Sequence, residues 1–586
     1  MTFPSARNNN RSFARNAILL AAATTMSAML TGCASTPPDE PFDARLLGDR
    51  HRQASATIAP AEPIVRTEKF DSPYLTTDPA KTPDKLPPDP LLKPLDQTAS
   101  VVKLELRDAI QRAVVYNSDI RVSAFQPGID EARVIEAVSR FDPTLFSNLE
   151  ATRTNQPVGL RSTFGGPEQR QNAVNVTGTT GIRQNLPSGG QVEISAQAQR
   201  AESIGDNGTT NYETQLQLQL TQPLLRDFGN DVNSARIVIN QNNQVISTLE
   251  FRRQVEESIA DIERLYWQLA QAEQDLQIQQ ELLQRTLDYA LILWQRRDQD
   301  ATRVSISQAN ARVESRRATL IRARARVADL SDQIKRLVND PDMPVSSPAV
   351  LSADTSAVLE QIIFDPKEQV DSALQYRFEL EQQRLRIDSA VVTGRVAKNN
   401  LLPQLDLILR GGLNGVDNTL SNSTWDSVNV RDDDGANYNA TVGLQFEIPI
   451  GNRAARAIWR RQQLAIQQAI TSYKAAQDQI VQEVRQALRE VDTTWQETVR
   501  TRQSALAARD ALEAIEVRER AGEPLTPNFV DLKLSLLEAL AAASSSEAAA
   551  IANYNISLSA LERTKGTLLR YNNIVLQEDK MIPSGR

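Results

Sequence analysis

The sequence predicts a mixed α and β membrane protein in which one unit, a short helix, a strand region and a long helical hairpin, is written twice. Three observations predict it. The chain opens on a secretory leader that runs into its only cysteine, Cys33. Several segments alternate apolar and polar residues with the period of a strand. Two stretches of about a hundred residues carry little glycine and read as long helices folded back on themselves.

The leader comes first in the chain. Arg7, Arg11 and Arg15 precede the apolar run Ala17–Leu30, which is too short to span a bilayer and has the layout of a signal peptide. It ends Leu30-Thr31-Gly32-Cys33, small residues set directly before the one thiol. That arrangement resembles a bacterial lipobox. Residues 1–32 are then a lipoprotein signal, cleaved before Cys33, and Cys33 is the lipid anchor that carries palmitate or similar chains. Several acyl chains hold a protein on a membrane where one does not. Ala34, in place of an Asp, favours the outer membrane by the same resemblance.

Residues 33–100 hold 12 of the 28 prolines between Ala34 and Ser100, as in Pro87-Pro88-Asp89-Pro90, and read as an extended acylated tether. After it the repeat begins. Ala113-Val-Val-Tyr-Asn117 matches Ala373-Leu-Gln-Tyr-Arg377, and Phe141-Asp-Pro-Thr-Leu145 matches Leu401-Leu-Pro-Gln-Leu405, both at an offset of 260. Leu218-Gln-Leu-Thr-Gln-Pro223 matches Leu444-Gln-Phe-Glu-Ile-Pro449 at 226, so the first copy carries 34 further residues between its landmarks. The first repeat is 101–340, with strands at about 143–223. A linker follows at 341–364. The second repeat is 365–575, with strands at about 403–450, and 576–586 is a tail.

The strand signal is sharpest in Tyr212–Thr221, where Tyr212, Thr214, Leu216, Leu218 and Leu220 oppose Glu213, Gln215, Gln217, Gln219 and Thr221. Gln191–Gln199, Leu405–Leu409 and Thr441–Ile448 alternate in the same way. Such strands are half-buried. They belong either to a soluble sandwich or to a membrane barrel with lipid on one side and a water-filled lumen on the other. The leader favours the barrel, yet the runs are too few for one chain to close it. Asp432-Asp433-Asp434 lacks the spacing of a calcium loop and reads as a solvated tip.

The helical stretches run from Arg236 to about Asn339 and from Arg453 to about Leu569, the second broken at Gly522-Glu-Pro524-Leu-Thr-Pro527. Each folds into a hairpin of about 70 Å. Arg312–Arg326 is rich in arginine but interrupted by Glu314, Leu320 and Ile321, and reads as a charged helix face. With a net charge of -8, the chain has no nucleic-acid partner to expect.

Catalysis is nearly excluded by composition. His51 is the only histidine and Cys33 the only cysteine, which leaves no Cys/His metal site and no Ser-His pair in a folded part. No phosphate-binding or dinucleotide-binding glycine motif is present. No cofactor, metal or catalytic residue is expected. One other class fits the anchor and the helices, a structural or adhesive helical-stalk lipoprotein of the envelope without channel activity, but it leaves the doubled strand-Pro-helix blocks unexplained.

The landmarks resemble those of the TolC family of outer-membrane factors, in its lipid-anchored efflux branch. They are Leu104-Glu-Leu-Arg-Asp-Ala-Ile110 with Asn117-Ser-Asp-Ile120, Phe141-Asp-Pro-Thr-Leu145, Leu220-Thr-Gln-Pro-Leu-Leu225, Leu401-Leu-Pro-Gln-Leu405, and Ala552-Asn-Tyr-Asn555 with Leu561-Glu-Arg and Gly566-Thr-Leu-Leu569. The resemblance covers about Leu104–Leu569. It implies a homotrimer in which three chains pool strands into one transmembrane β-barrel, continued by a long α-helical barrel through the periplasm. Four strands a chain, twelve in all, is the family's habit, and the extra stretch Asn155–Ser203 either enlarges the barrel or forms an exterior hairpin.

The implied function is a passive exit duct at the outer membrane, part of a tripartite efflux or type I secretion system. Its implied partners are a periplasmic adaptor, an inner-membrane pump of the RND or ABC type, and outer-membrane lipid. Carboxylates at the hairpin tips gate such ducts. By position the candidates are Asp531 after the Gly522 turn, Glu523 within it, and Asp298 and Asp300 at the first turn. Three copies of Asp531 make a carboxylate ring able to hold a cation. A second aspartate one turn later is replaced by Leu534, and the tyrosine and arginine that lock some relatives are not evident where Glu523, Pro524 and Pro527 stand.

Overall fold

Two long helical hairpins hang from one antiparallel sheet in the computed structural model, which describes residues 100–157, 170–203, 209–299, 301–428 and 437–575. Cys33, the tether, Asp300 and Asp432–Asp434 lie outside the described residues.

Strand β1 (Val101–Leu104) leads into α1 (Leu106–Tyr116) and α2 (Ser118–Val138). Asn117 makes the joint. Its side-chain oxygen accepts from the amides of Asp119 and Ile120 at 2.7 and 3.0 Å, which caps α2. Its amide nitrogen donates to the Leu337 carbonyl at 2.7 Å, so the same buried residue pins the joint to the end of a distant helix.

The sheet has strands β2 (Thr144–Pro157), β3 (Arg170–Asn185), β4 (Gln191–Ser203) and β5 (Thr210–Pro223), then β7 (Gln404–Asp417) and β8 (Tyr438–Glu447). Their spatial order is β2-β3-β4-β5-β7-β8, every pair antiparallel, so β2 and β8 are the edges. Proline marks the lower boundary. Pro143 and Pro403 stand just before β2 and β7, Pro223 closes β5, and Pro449 follows β8. Proline has no N–H to give to a ladder, and the regular strands end near these positions, although past Pro223 the Leu224 amide still donates to the Leu405 carbonyl at 2.7 Å.

The short strand β6 (Val350–Ala353) pairs in parallel with β1, Val101 opposite Val350 and Leu104 opposite Ala353. The stretch read from sequence as a linker is therefore tied to the start of the first repeat. Four residues with one buried leucine, Leu351, are too short a period to read as a strand by pattern alone.

Below the sheet, α3 (Asn230–Asn233) precedes α4 (Ala235–Gln295), which turns back into α5 (Arg303–Val338). In the second half α6 (Pro366–Tyr376) and α7 (Phe378–Asn399) precede the sheet. A short α8 (Leu420–Val428) lies between β7 and β8. The second hairpin is α9 (Arg453–Arg520) and α10 (Pro527–Lys565), closed by α11 (Leu568–Tyr571). At 61 and 68 residues, α4 and α9 are about 90 and 100 Å long. Their return arms are shorter, and the upper part of each long helix is covered instead by α2 or α7. Helix α10 is long and apolar enough to cross a membrane, but its alanines pack along α9 and α4.

Five apolar clusters hold the helices among the described residues, and two of them are large. The upper one joins Ile110, Ile120, Val255, Ile259, Ile262 and Ile334, from four helices far apart in sequence. The lower one, at the hairpin ends, joins Leu293, Val313, Leu512, Leu525, Val530 and Leu534. Each fully buried side chain of this size contributes about 1.5–3 kcal/mol.

Candidate functional site

The sheet is two-sided over its lower part, and toward the upper ends Arg153, Arg200, Glu202 and Asp417 join the apolar side. Residues facing each other across an antiparallel ladder share a face. One face therefore carries Leu145 with Ile182, Ile194 with Leu218, Ala196 with Leu216, and Leu409 with both Leu220 and Val442. These side chains are open on the chain's surface; Leu149 is 82% and Val442 77% exposed. The other face carries Asn148, Thr177, Thr179, Ser195, Gln197, Gln199, and the row Gln215, Gln217, Gln219. Its charges are Glu150, Glu193, Glu213, Asp406 and Glu447 against Arg183 and Arg410. Arg183 is spent on Glu193 at 2.9 Å, and Arg410 donates to Gln219 at 3.0 Å. The polar face is thus mostly neutral with a carboxylate excess.

Helix α8 covers one corner of the apolar face. The Thr214 hydroxyl donates to the Ser423 carbonyl at 2.7 Å, and at Gly415 a Cβ would stand 1.9 Å from that same carbonyl. Only glycine lets the helix lie this close to β7.

The hairpin ends form the second part of the site. Thr302 and Thr526 cap α5 and α10 by accepting from the amides of Ser305 and Phe529. Asp531 stands in the first turns of α10, 59% exposed, with Arg312 of α5 at 3.6 Å. Arg312 also pairs with Glu538, one heptad below Asp531 on the same helix face. Arg316 joins them, donating to Glu538 at 2.8 Å. Hydrogen bonding to Glu538 raises the Arg312 pKa, whereas burial lowers that of Arg316. The two hairpins are therefore bolted together by two arginines and two carboxylates.

Glu523 is held as a bidentate partner of Arg518, at 2.7 and 2.5 Å, across the turn that contains Gly522. Lys533 pairs with Glu519 and lies 4.2 Å from the centre of the Tyr289 ring. Asp298 is 84% exposed, and among the described residues its ion-pair partner is Arg297, at 3.6 Å. Asp531 and Glu523 are thus 'spoken for' by arginines, Asp298 is open to water, and Asp300 is outside the described residues. The arginines that hold these carboxylates are Arg312 and Arg316 on α5 and Arg518 on α9. The signal was their spacing. Arg312 and Arg316 are i,i+4 and Asp531 and Glu538 i,i+7, each pair on one helix face. Among the described residues no group of three or more potential metal ligands is present.

Comparison with known families and structures follows the same lines. Residues 370–567 match the family model for outer membrane efflux proteins. That match spans 198 of the 586 residues and accords with the resemblance to the TolC family of outer-membrane factors. By fold the chain is similar to the outer membrane protein VceC of Vibrio cholerae and to the outer-membrane channels CmeC of Campylobacter jejuni and MtrE of Neisseria gonorrhoeae. VceC is 17% identical, with a TM-score of 0.55 over 79% of this chain and 96% of its own. CmeC is 13% identical, at 0.58 over 82% and 90%. MtrE, solved in its open state, is 18% identical, at 0.55 over 79% and 89%. Sequence comparison with curated proteins finds no match.

Proposed function

We propose that this protein is the outer-membrane exit duct of a tripartite efflux or type I secretion system, acting passively as a homotrimer anchored through acylated Cys33. The observation that carries this reading is the two-sided sheet with two free edges. Six strands expose a continuous face of Leu, Ile and Val, and strands β2 and β8 have unpaired backbone on their outer sides. In lipid every N–H and C=O needs a partner, so a span of this kind is stable only when copies close it into a barrel. Joining β8 of one copy to β2 of the next turns the Leu and Val face to lipid and the Gln and Thr face to water. The exposed apolar stripe Val122, Phe125, Ile129 and Ile135 on α2 gives the copies a second contact below the membrane.

Two repeats, each with a hairpin, give each copy two hairpins and the trimer six, arranged as the helical barrel in the periplasm. The hairpin ends meet a periplasmic adaptor and an inner-membrane pump of the RND or ABC type. Drugs, metal ions or a secreted polypeptide then leave through the lumen. Excess carboxylate on the polar face makes the duct favour cations.

The test is planar-bilayer recording of the purified, acylated trimer. Stepwise currents with cation preference are expected, and truncation of both hairpin ends should enlarge them. A verified trimer that stays silent even after the truncation would return the protein to the class of envelope stalks. Palmitate labelling of the parent but not of Cys33→Ser tests the anchor.

A further inference from the structure

The inserted segment of the first repeat is a full part of the sheet. From Arg170 to Ser203 it spans the 34 residues by which the first copy exceeds the second. It forms β3 and β4, and they lie between β2 and β5, not outside them. Strand β3 pairs with β2 from Thr144–Arg183 to Pro157–Arg170, and β4 pairs with β5 from Gln191–Thr221 to Glu202–Thr210. In this sheet β2 and β5 never meet.

The insert also obeys the two-sided pattern of its neighbours. Val174, Val176, Ile182, Ile194, Ala196 and Ala198 share the apolar face, which at its upper end also carries Arg200 and Glu202, paired with each other at 2.7 Å. Thr177, Thr179, Ser195, Gln197 and Gln199 share the polar one. A hairpin lying outside the barrel in water would have no use for that alternation.

Its lower turn is locked to the junction with the helices. The Ser188 hydroxyl donates to Gln222 at 2.8 Å, and the Gly229 amide donates to the Ser188 carbonyl at 3.0 Å. Gly189 has φ +93, and a Cβ there would stand 2.1 Å from the Asp227 carbonyl. Four strands of each chain, β2, β5, β7 and β8, run on into helices, whereas β3 and β4 return on themselves through this turn.

Resting on the trimeric duct proposed above, we infer that each chain gives six strands to the wall and that the assembled barrel has eighteen strands, forming a vestibule wider than the helical tunnel it stands on. The barrel's diameter grows in proportion to strand number. At a strand spacing of about 4.8 Å and a tilt of about 40°, twelve strands give about 24 Å between opposite backbones and eighteen about 36 Å. The tunnel gains nothing, because the extra strands add no helix. Passage is therefore limited at the hairpin ends, and the vestibule admits solutes from outside that the tunnel rejects.

Cysteine substitutions in the full, lipid-embedded protein test this, with the parent as background for Cys33. Gln197→Cys and Gln199→Cys should react with an aqueous maleimide about tenfold faster than Ala196→Cys and Ala198→Cys, which should instead be quenched by brominated lipid once labelled with a fluorophore. Gln217→Cys and Leu218→Cys in β5 are the control. Alternation in β5 without alternation in β4 overturns the eighteen-strand wall and leaves the duct standing. Absence of alternation in both overturns the duct as well. An axial reconstruction in nanodiscs should count eighteen strands, and a count of twelve also overturns the inference.

Discussion

Arg316 on α5 donates to Glu538 on α10 at 2.8 Å from a position only 9% exposed, and Arg312 reaches both Glu538 and Asp531 from the next turn. The pair joins the first repeat's hairpin to the second's. Removing Glu538 leaves the nearly buried Arg316 without its counterion, at a cost of about 1–3 kcal/mol, whereas removing Arg316 takes one of the two cross-hairpin contacts from Glu538 and leaves it Arg312. Arg316→Ala should therefore loosen the ends of the two hairpins and raise the mean single-channel current severalfold. Glu538→Ala should do the same, and the double variant should be no worse than the worse single one. Additive effects would show that the contact does not hold the ends together.

A second prediction concerns pH. Glu256 on α4 is buried, and one of its carboxylate oxygens has no partner. Burial pushes its pKa up to about 7, and Glu379 adds to this, while the Leu569 amide, Arg377 and Arg563 oppose it. Burial raises Glu263 too, against hydrogen bonds from Ser559 and Asn572. A carboxyl with a raised folded-state pKa binds its proton more tightly in the folded protein. Its favourable contribution is present below the unfolded value near 4.5 and is lost as pH rises through 7. The loss is at most about 3 kcal/mol. Glu256→Gln should raise the thermal midpoint of the helical body at pH 8 and leave it nearly unchanged at pH 5, by circular dichroism in detergent. An equal rise at both pH values would mean the carboxyl is not titrating there.

The fold was legible where one physical rule acted alone. In β5 the Leu and Gln rows are clean, and the proline landmarks at Pro143, Pro223, Pro403 and Pro449 stand at strand boundaries. Strand β3 was not readable, because its apolar face includes Gly178 and Thr180 and its polar face Gly181. At Gly181 the missing side chain makes room for the Phe146 ring across the ladder, a reason that appears only once the register is known. At the hairpin ends Asp531 and Glu523 could be proposed from position. The partner of Asp531 could not, since Arg312 lies 219 residues away in a chain whose charged helix faces all look alike in sequence, whereas Arg518, the partner of Glu523, is only five residues off.

Gly189 offers a third prediction. Its φ of +93 and the Asp227 carbonyl 2.1 Å from where a Cβ would be leave no room for any side chain. Gly189→Ala should cost about 2 kcal/mol or more, because backbone strain and a backbone clash act together. The turn under β3 and β4 should open, and the heat-resistant trimer band on a semi-native gel should fall by half or more. Gly411→Ala in β7, where a Cβ would meet nothing within 4 Å, is the matched control and should leave the band intact.

The last prediction separates the two roles of Asp531. As a member of the arginine cluster it is a weak partner, 3.6 Å from Arg312 and more than half exposed, and such a pair contributes about 0–1 kcal/mol. As one of three carboxylates ringed at a constriction it would act on passing ions far more than on stability. Asp531→Asn keeps the shape and removes the charge. If the ring lines the pore, the substitution should lower cation over anion permeability severalfold while the thermal midpoint moves by no more than a degree or two. Reversal potentials in a salt gradient measure the first and circular dichroism the second. A changed midpoint with unchanged selectivity would place Asp531 in the bolt between hairpins and outside the pore, and Asp298, which carries no cross-hairpin partner among the described residues, would become the carboxylate to test next.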